Sequence, residues 1–223
     1  MTAVMDEISE GLRYIFQTDS KYTCLISGPG HAGMEAAIAN LIEPGETIVV
    51  GNKGIWGARV CDLSARYGAN VVNMEVAPGK SFDFATIKEH VERHRPAALF
   101  LVHGESSTGV HQDLTGLGEL CRKHNCLLIV DTVCTLGGVP LLADQWGIDC
   151  IYSGSQKCLS GPPGTSPFFM SDKAGTRMGL ARPAEGHGSN ISDALAPFVP
   201  TSCCRPGPSS SRGRPSRRPT RWT

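Results

Sequence analysis

The chain has 223 residues, of which 40% are hydrophobic and 19% are charged, a composition typical of a globular protein with one large domain or one and a half small ones. Its 21 basic and 21 acidic residues give a net charge of zero, which argues against a strongly basic nucleic-acid-binding protein. The first ten residues lack the basic and apolar stretches of a signal peptide, and no apolar run reaches the roughly 18 residues of a membrane helix, so we expect an intracellular, soluble protein.

Short apolar runs alternate with amphipathic segments from residue 5 to residue 179. This alternation predicts βα units around a mostly parallel sheet flanked by helices, which is an α/β fold. Glycines and one Pro-Gly pair mark the joins between the segments. The predicted helices are 5–16, 30–42, 56–66, 83–94 and 116–123, and the predicted strands are 22–26, 47–50, 70–74, 97–102, 126–130, 150–152 and 166–170.

The first candidate site is the glycine-rich turn Gly28-Pro29-Gly30-His31-Ala32-Gly33, which joins a predicted strand to a helix. Its spacing matches the G-x-G-x-x-G fingerprint of dinucleotide-binding proteins. That fingerprint also needs an acidic residue at the end of the next strand, where this chain has Gly51 and Asn52. An oxidoreductase that binds a nicotinamide cofactor therefore stays an alternative, while the free N–H groups of a helix start favour a phosphate of some kind.

The second candidate site is the pair formed by Asp131 and Lys157. Each residue follows a predicted buried strand, and open α/β sheets bind ligands at the carboxyl ends of their strands. Apolar neighbours around Lys157, including Cys158 and Leu159, lead us to expect a desolvated amine that can attack an aldehyde. A phosphate anchor, a carboxylate and a lysine in this order along the chain indicate a carbonyl cofactor that bears a phosphate, such as pyridoxal phosphate.

Two further elements follow strands at the same predicted edge. Trp56 begins a helix and offers a ring that could stack on a planar cofactor. The segment from Ser106 to Thr108 offers hydroxyl groups, but Thr108 stands where a hydrolase nucleophile elbow needs glycine. His90 and His94 share a helix face without a third ligand, so we expect no metal site there.

The last part of the chain differs in composition from the rest. Six of the basic residues and none of the acidic ones lie in the last 19 residues, so the first 204 carry a net charge of −6. Those 19 residues are rich in Arg, Pro and Ser and cannot bury enough apolar surface to order the chain. We therefore divide the chain into a folded domain at 1–179 and a disordered tail at 180–223, and we expect no nucleic-acid binding by the tail.

These motifs, taken together and in this order, closely resemble the alanine-glyoxylate and serine-pyruvate aminotransferases, which are class V, fold type I pyridoxal phosphate enzymes. The resemblance runs from about residue 5 to residue 178, and it is most specific around Lys157 and Pro162-Pro163-Gly164-Thr165. It implies the large domain of that fold and a cofactor that is pyridoxal 5'-phosphate. By the resemblance, Lys157 forms the Schiff base with the cofactor, Asp131 pairs with the pyridinium nitrogen, Trp56 stacks on the ring, Ser106 contacts the ring, and Gly30, His31 and Gln156 contact the phosphate.

The resemblance also implies an activity and a setting. The family moves the amino group of alanine or serine to glyoxylate or pyruvate, in glyoxylate detoxification and glycine biosynthesis, as a homodimer and often in peroxisomes. Nine cysteines, an odd number without a Cys-x-x-Cys pair, indicate a reducing compartment. The final Arg221-Trp222-Thr223 does not match a peroxisomal signal of the Ser-Lys-Leu type, so we expect a cytosolic protein when this chain is expressed alone.

The chain departs from the family pattern in two respects. Pro29 stands where the family has serine in the phosphate turn, and a proline offers neither a hydroxyl nor an N–H group. The small C-terminal domain, with its arginine for the substrate carboxylate, has no counterpart in the sequence. We therefore expect a weak or inactive aminotransferase, or alternatively a non-catalytic chain that pairs with a complete subunit.

Overall fold

The computed structural model describes residues 2–179, so the predicted tail at 180–223 lies outside the described residues. All twelve predicted helices and strands are present, each within three residues of its predicted bounds. A short helix, α6, and a small hairpin, β5–β6, were not predicted. The helices are α1 (Thr2–Phe16), α2 (Gly30–Leu41), α3 (Ile55–Arg66), α4 (Phe84–His94), α5 (Leu117–Lys123) and α6 (Asp172–Arg177). The strands are β1 (Tyr22–Ser27), β2 (Thr47–Asn52), β3 (Asn70–Glu75), β4 (Ala98–Val102), β5 (Gly104–Glu105), β6 (Val110–His111), β7 (Leu127–Asp131), β8 (Cys150–Tyr152) and β9 (Thr165–Met170).

Seven of the strands form one sheet in the order β1-β9-β8-β7-β4-β2-β3. Neighbouring strands are parallel along the part of the sheet formed by β3, β2, β4, β7 and β8. Strand β9 is antiparallel to both of its neighbours, β8 and β1. Six of the seven strands therefore run in one direction, which confirms the mostly parallel α/β fold. The central strands β4 and β7 are buried along their whole length, because helices cover both faces of a parallel sheet.

Two apolar cores lie on the two faces of the sheet. Ile48 and Phe100 point into the core formed with α2 and α3, whereas their neighbours Val49 and Leu99 point into the core formed with α1, α4 and α5. This alternation follows from the two-residue period of a β-strand. The described residues thus form three layers, with helices above and below the sheet, and contain no helix that is long and apolar enough to cross a membrane.

The strand order bears on the dinucleotide-binding alternative. In a Rossmann fold the strand before the glycine-rich turn lies in the middle of the sheet, in the order 3-2-1-4-5-6. Here β1 lies at the edge of the sheet and pairs with the antiparallel strand β9. The glycine spacing is therefore shared with dinucleotide-binding proteins, but the topology gives that alternative no support.

Candidate active site

The predicted site residues all follow strands that run in the same direction. The carboxyl ends of these strands meet at one edge of the sheet, so the topology brings the residues to a single edge. Gly30 and His31 follow β1, Trp56 follows β2, Ser106 follows β4, Asp131 ends β7, and Gln156 and Lys157 follow β8.

Asp131 is the buried carboxylate of this edge, with only 2% of its surface exposed. Its Oδ1 atom accepts a hydrogen bond from the Val133 backbone N–H at 2.8 Å, and its Oδ2 atom accepts one from the Tyr152 hydroxyl at 2.7 Å. Burial raises the pKa of Asp131 to about 6, although both hydrogen bonds favour the charged form. The carboxylate is thus held in a fixed orientation and would gain from a cationic partner.

The glycine-rich turn packs directly against the segment that follows Asp131. Gly28 has a φ of +140°, a conformation that favours glycine, and its N–H donates to the Gly164 carbonyl at 2.8 Å. Gly30 begins α2 and is buried, and a Cβ atom added to it would lie 2.8 Å from the Val133 side chain. His31 is exposed in the first turn of the helix. The structure therefore brings the start of α2 close to Val133, two residues after Asp131.

Trp56 and Ser106 are in direct contact, as the common edge predicts. The Trp56 indole Nε1–H donates to the Ser106 hydroxyl oxygen at 2.9 Å. Trp56 is half-buried in the first turn of α3 and packs against the core, while Ser106 is exposed. The ring is therefore held both by packing and by a hydrogen bond from its edge.

Lys157 and Gln156 lie in the turn after β8, and both side chains are exposed. The expectation of a desolvated Lys157 is wrong. Backbone hydrogen bonds within the turn hold its shape: the Ser160 N–H donates to the Lys157 carbonyl at 2.9 Å, and the Gly161 N–H donates to the Ser155 carbonyl at 2.8 Å. In this turn the Lys157 side chain is exposed and not packed in an apolar core. The Lys157 amine is consequently open to a ligand at this edge.

Two residues of the site were missed by sequence reasoning. Tyr152 is opposite Asp131 in the register of β7 and β8, and no sequence motif shows which strands pair. Glu105 directly precedes the segment from Ser106 to Thr108 that offers hydroxyl groups, and no sequence pattern indicates that its carboxylate is buried. It is 1% exposed and accepts a hydrogen bond from the Trp56 backbone N–H at 3.3 Å.

The histidines on α4 do not belong to this edge of the sheet. The His90 and His94 rings stack with their centroids 6.0 Å apart. Within residues 2–179, no group of three His, Cys, Asp or Glu residues is arranged to hold a metal ion.

The chain is similar to known aminotransferases in both sequence and structure. The profile of the family described as aminotransferase class-V matches residues 1–196. The alanine–glyoxylate aminotransferase of Rattus norvegicus is 49% identical over 178 residues, which are 80% of this chain and 43% of the rat protein. That of Callithrix jacchus is 52% identical over 171 residues, which are 77% of this chain and 41% of the relative.

A solved structure gives the same result. The crystal structure of an alanine–glyoxylate aminotransferase from Nostoc sp. is 43% identical, with a TM-score of 0.81 over 90% of this chain and 54% of that chain. The chain thus spans less than half the length of the curated relatives named above, and about half of the solved structure.

Proposed function

The chain belongs to the aminotransferase class-V family, and we propose that it binds pyridoxal phosphate at the edge of the sheet described above and moves, with weak activity, an amino group from an amino acid to a 2-oxo acid. Alanine or serine is the proposed donor, and glyoxylate or pyruvate the proposed acceptor. The names of the relatives support the alanine and glyoxylate pair. The observation that carries the proposal is the meeting of Asp131, Lys157 and Trp56 with the start of α2 at one edge.

The residues at this edge fit the chemistry of that cofactor. A cofactor with a cationic ring nitrogen suits a buried carboxylate whose pKa is raised to about 6, because the ion pair relieves the cost of burying the charge. A phosphate suits the start of α2, where Pro29 makes no side-chain cap and the first N–H groups of the helix have no partners within the helix. When bound, the cofactor supplies an electron sink and a temporary carrier for the amino group.

Asp131 is proposed to hold the proton on the ring nitrogen. The Val133 N–H and the Tyr152 hydroxyl fix the two carboxylate oxygens, so the carboxylate does not need to reorient when the cation arrives. A charge-assisted hydrogen bond in this buried place is stronger than one between neutral groups. Asp131 therefore keeps the ring in its electron-accepting form.

Lys157 is proposed to bind the cofactor aldehyde and then to move protons as a general acid and base. Its exposed position in a turn lets the amine approach the aldehyde and withdraw from it without unpacking a core. A positioned amine of this kind contributes about a hundredfold to ten-thousandfold to proton transfer. Trp56 is the proposed stacking ring, Ser106 a polar contact to the ring, and Gly30, His31 and Gln156 the proposed phosphate contacts.

The activity is tested by its two half-reactions, observed in the near-visible absorption of the loaded protein. The protein is incubated with pyridoxal phosphate and freed of excess cofactor, and alanine is then added, followed by glyoxylate. We expect alanine to shift the absorption band and glyoxylate to restore it, since each step changes the chemical form of the bound cofactor. A band that does not respond to alanine or serine, or binding of a nicotinamide dinucleotide in place of pyridoxal phosphate, would contradict the proposal.

A further inference from the structure

The buried carboxylate of Glu105 lies where the β5–β6 hairpin meets the first turn of α3. The hairpin pairs Glu105 with Val110, and Glu105 is as buried as the core residues around it. A glutamate side chain in such a place needs hydrogen-bond donors for both of its oxygens. Those donors identify what the residue does.

Three donors converge on the Glu105 carboxylate. The Trp56 backbone N–H donates to Oε2 at 3.3 Å, while the Ser107 N–H and hydroxyl donate to Oε1 at 3.1 and 2.6 Å. The Ser107 hydroxyl oxygen in turn accepts from the Ile55 N–H at 3.1 Å. The first two N–H groups of α3 are therefore bound by residues about fifty positions later in the chain.

Gly54 explains why the cap comes from another element. As the N-cap residue of α3 it has no side chain to accept a hydrogen bond, and a helix leaves its first N–H groups without partners of its own. A Cβ atom on Gly54 would lie 2.5 Å from Cγ and Cδ of Glu105. The glycine thus lets the carboxylate approach, and a negative charge at a helix N-terminus is favourable.

The same segment also holds the indole ring of Trp56. Ser106, between the two capping residues, accepts the hydrogen bond from the indole Nε1–H at 2.9 Å. Residues 105–107 therefore fix the backbone of Trp56 at one end and its ring at the other. Movement of this segment would move the ring.

Lys53 is a buried cation beside the same hairpin. Its Nζ atom donates to the Val110 carbonyl at 3.1 Å, which ties it to the same hairpin. Burial lowers the pKa of Lys53 to about 8, and the negative charge of Glu105 opposes this shift. The charge of Glu105 thus offsets part of the cost of burying the Lys53 ammonium group.

We propose that Glu105 is the positioning residue that fixes the Trp56 ring for stacking on the cofactor. Glu105 acts through Trp56 and does not itself touch the ligand. The inference rests on the proposed function, because the use of the ring is stacking on pyridoxal phosphate. The contact between the Glu105 carboxylate and the Trp56 backbone N–H can be tested in the protein without cofactor.

Glu105→Gln isolates this contact with little change in shape. An amide has one acceptor oxygen and one N–H2 donor group. The oxygen satisfies more donors when it faces Ser107, so the N–H2 group faces the Trp56 N–H, which loses its acceptor. Glu89→Gln is the matched control, because Glu89 is an exposed glutamate on α4.

The first readout is hydrogen exchange of the Trp56 indole N–H by NMR, assigned by comparison with Trp56→Phe. The chain contains three tryptophans, so the three indole signals can be separated. In the protein without cofactor we expect about tenfold faster exchange of the indole N–H in Glu105→Gln than in wild type, because losing the backbone hydrogen bond of Trp56 loosens the segment 105–107, whose Ser106 hydroxyl accepts from the indole. An unchanged rate in a folded Glu105→Gln variant would overturn the proposal.

The second readout is the affinity for pyridoxal phosphate together with the circular dichroism induced in its band. We expect about tenfold weaker binding and a smaller dichroic signal per bound cofactor in Glu105→Gln, with Glu89→Gln like wild type. A loss of stability alone would leave the signal per bound cofactor unchanged, and that result would overturn the positioning role. Failure of wild type to bind the cofactor would contradict the proposed function, whereas the exchange experiment does not depend on it.

Gly54→Ala provides the same test by a different route. Its added methyl group would lie 2.5 Å from Cδ of Glu105 and 2.5 Å from the Ser107 hydroxyl oxygen, so it displaces the capping groups without removing the negative charge. We expect the same faster indole exchange as in Glu105→Gln. If Glu105→Gln does not fold, a wild-type exchange rate in Gly54→Ala overturns the proposal.

Discussion

Asp131 shows how burial and hydrogen bonding act against each other in one residue. Burial raises its pKa from an ordinary 3.8 to about 6, while the Val133 N–H and the Tyr152 hydroxyl act in the opposite direction. Between these two values the folded protein keeps a proton that the unfolded chain has lost. Stability therefore falls as the pH rises through this window and levels off above pH 6.

The stability of the protein without cofactor should report this titration. We expect Asp131 to lower the free energy of unfolding by about 2 kcal/mol between pH 4 and pH 6.5, at about 1.4 kcal/mol for each unit of pKa shift. Asp131→Asn, which does not titrate, should lack this component. Urea unfolding of both proteins across the range measures it, and a difference between them that does not vary with pH would contradict the assignment.

The affinity for the cofactor should also depend on the ionisation of Asp131, but it should rise with pH where the stability falls. Only the ionised carboxylate pairs with a cationic ring nitrogen, so binding below pH 6 must first remove the proton. We expect the affinity of wild type for pyridoxal phosphate to rise up to about tenfold per pH unit below pH 6. Fluorescence titrations of wild type and Asp131→Asn test this, and the variant should lose the part of the slope that belongs to Asp131.

The distance between α2 and the sheet depends on Gly33. A Cβ atom there would meet the Ser166 hydroxyl and would lie 2.8 Å from the Tyr152 Cβ atom. Tyr152 in turn donates to Asp131. The close packing of this helix thus supports both the glycine-rich turn and the carboxylate.

Gly33→Ala should therefore destabilise the fold, and Gly11→Ala is its matched control. Overpacking at Gly33 is expected to cost about 1 to 3 kcal/mol. Gly11 lies on the exposed face of α1 with nothing within 4 Å of an added Cβ atom, so alanine there should stabilise by up to about 1 kcal/mol. Urea midpoints measure both, and an equal response of the two variants would show that the close contact has no energetic weight.

Elements with a clear hydrophobic period were predictable, and short ones were not. The buried strands β4 and β7 consist mainly of consecutive apolar residues. Such a strand can be predicted from its own residues, without knowing which strands lie beside it. Strands β5 and β6 have two residues each, which is too short for a period. The α6 helix has six residues, and its start depends on the Ser171 hydroxyl accepting from the Ala174 N–H.

The site was predictable as a set of strand ends but not as a set of contacts. The order of motifs identified Asp131 and Lys157, because each follows a recognisable strand. The Tyr152 bond to Asp131 depends on the register of β7 and β8, and the cap from Glu105 joins segments about fifty residues apart. The exposure of Lys157 depends on the backbone hydrogen bonds within its turn. Residue types alone do not reveal those bonds.

At the scale of the molecule, the site exists only when the sheet is assembled. Its residues come from five strand ends between Gly30 and Lys157, and the sheet order separates β1 from its sequence neighbour β2. The unfolded chain therefore has no such site. A ligand of this edge should bind the folded state alone and stabilise it.

This coupling predicts a rise in stability with cofactor. At pyridoxal phosphate concentrations 100 times the dissociation constant, the free energy of unfolding should increase by about 2.7 kcal/mol. Urea unfolding with and without cofactor measures the increase. The same concentration of a nicotinamide dinucleotide should have no effect, and stabilisation by the dinucleotide alone would favour the other cofactor class.

The most direct test is to locate the cofactor on the chain. The protein is incubated with pyridoxal phosphate, reduced with borohydride to make the lysine linkage permanent, digested and analysed by mass spectrometry. We predict that the cofactor is attached to Lys157 in wild type and in Lys80→Ala, a control for exposed lysines, and that Lys157→Ala carries no stoichiometric label. Equal labelling of several lysines, or full labelling of Lys157→Ala at another position, would contradict the account.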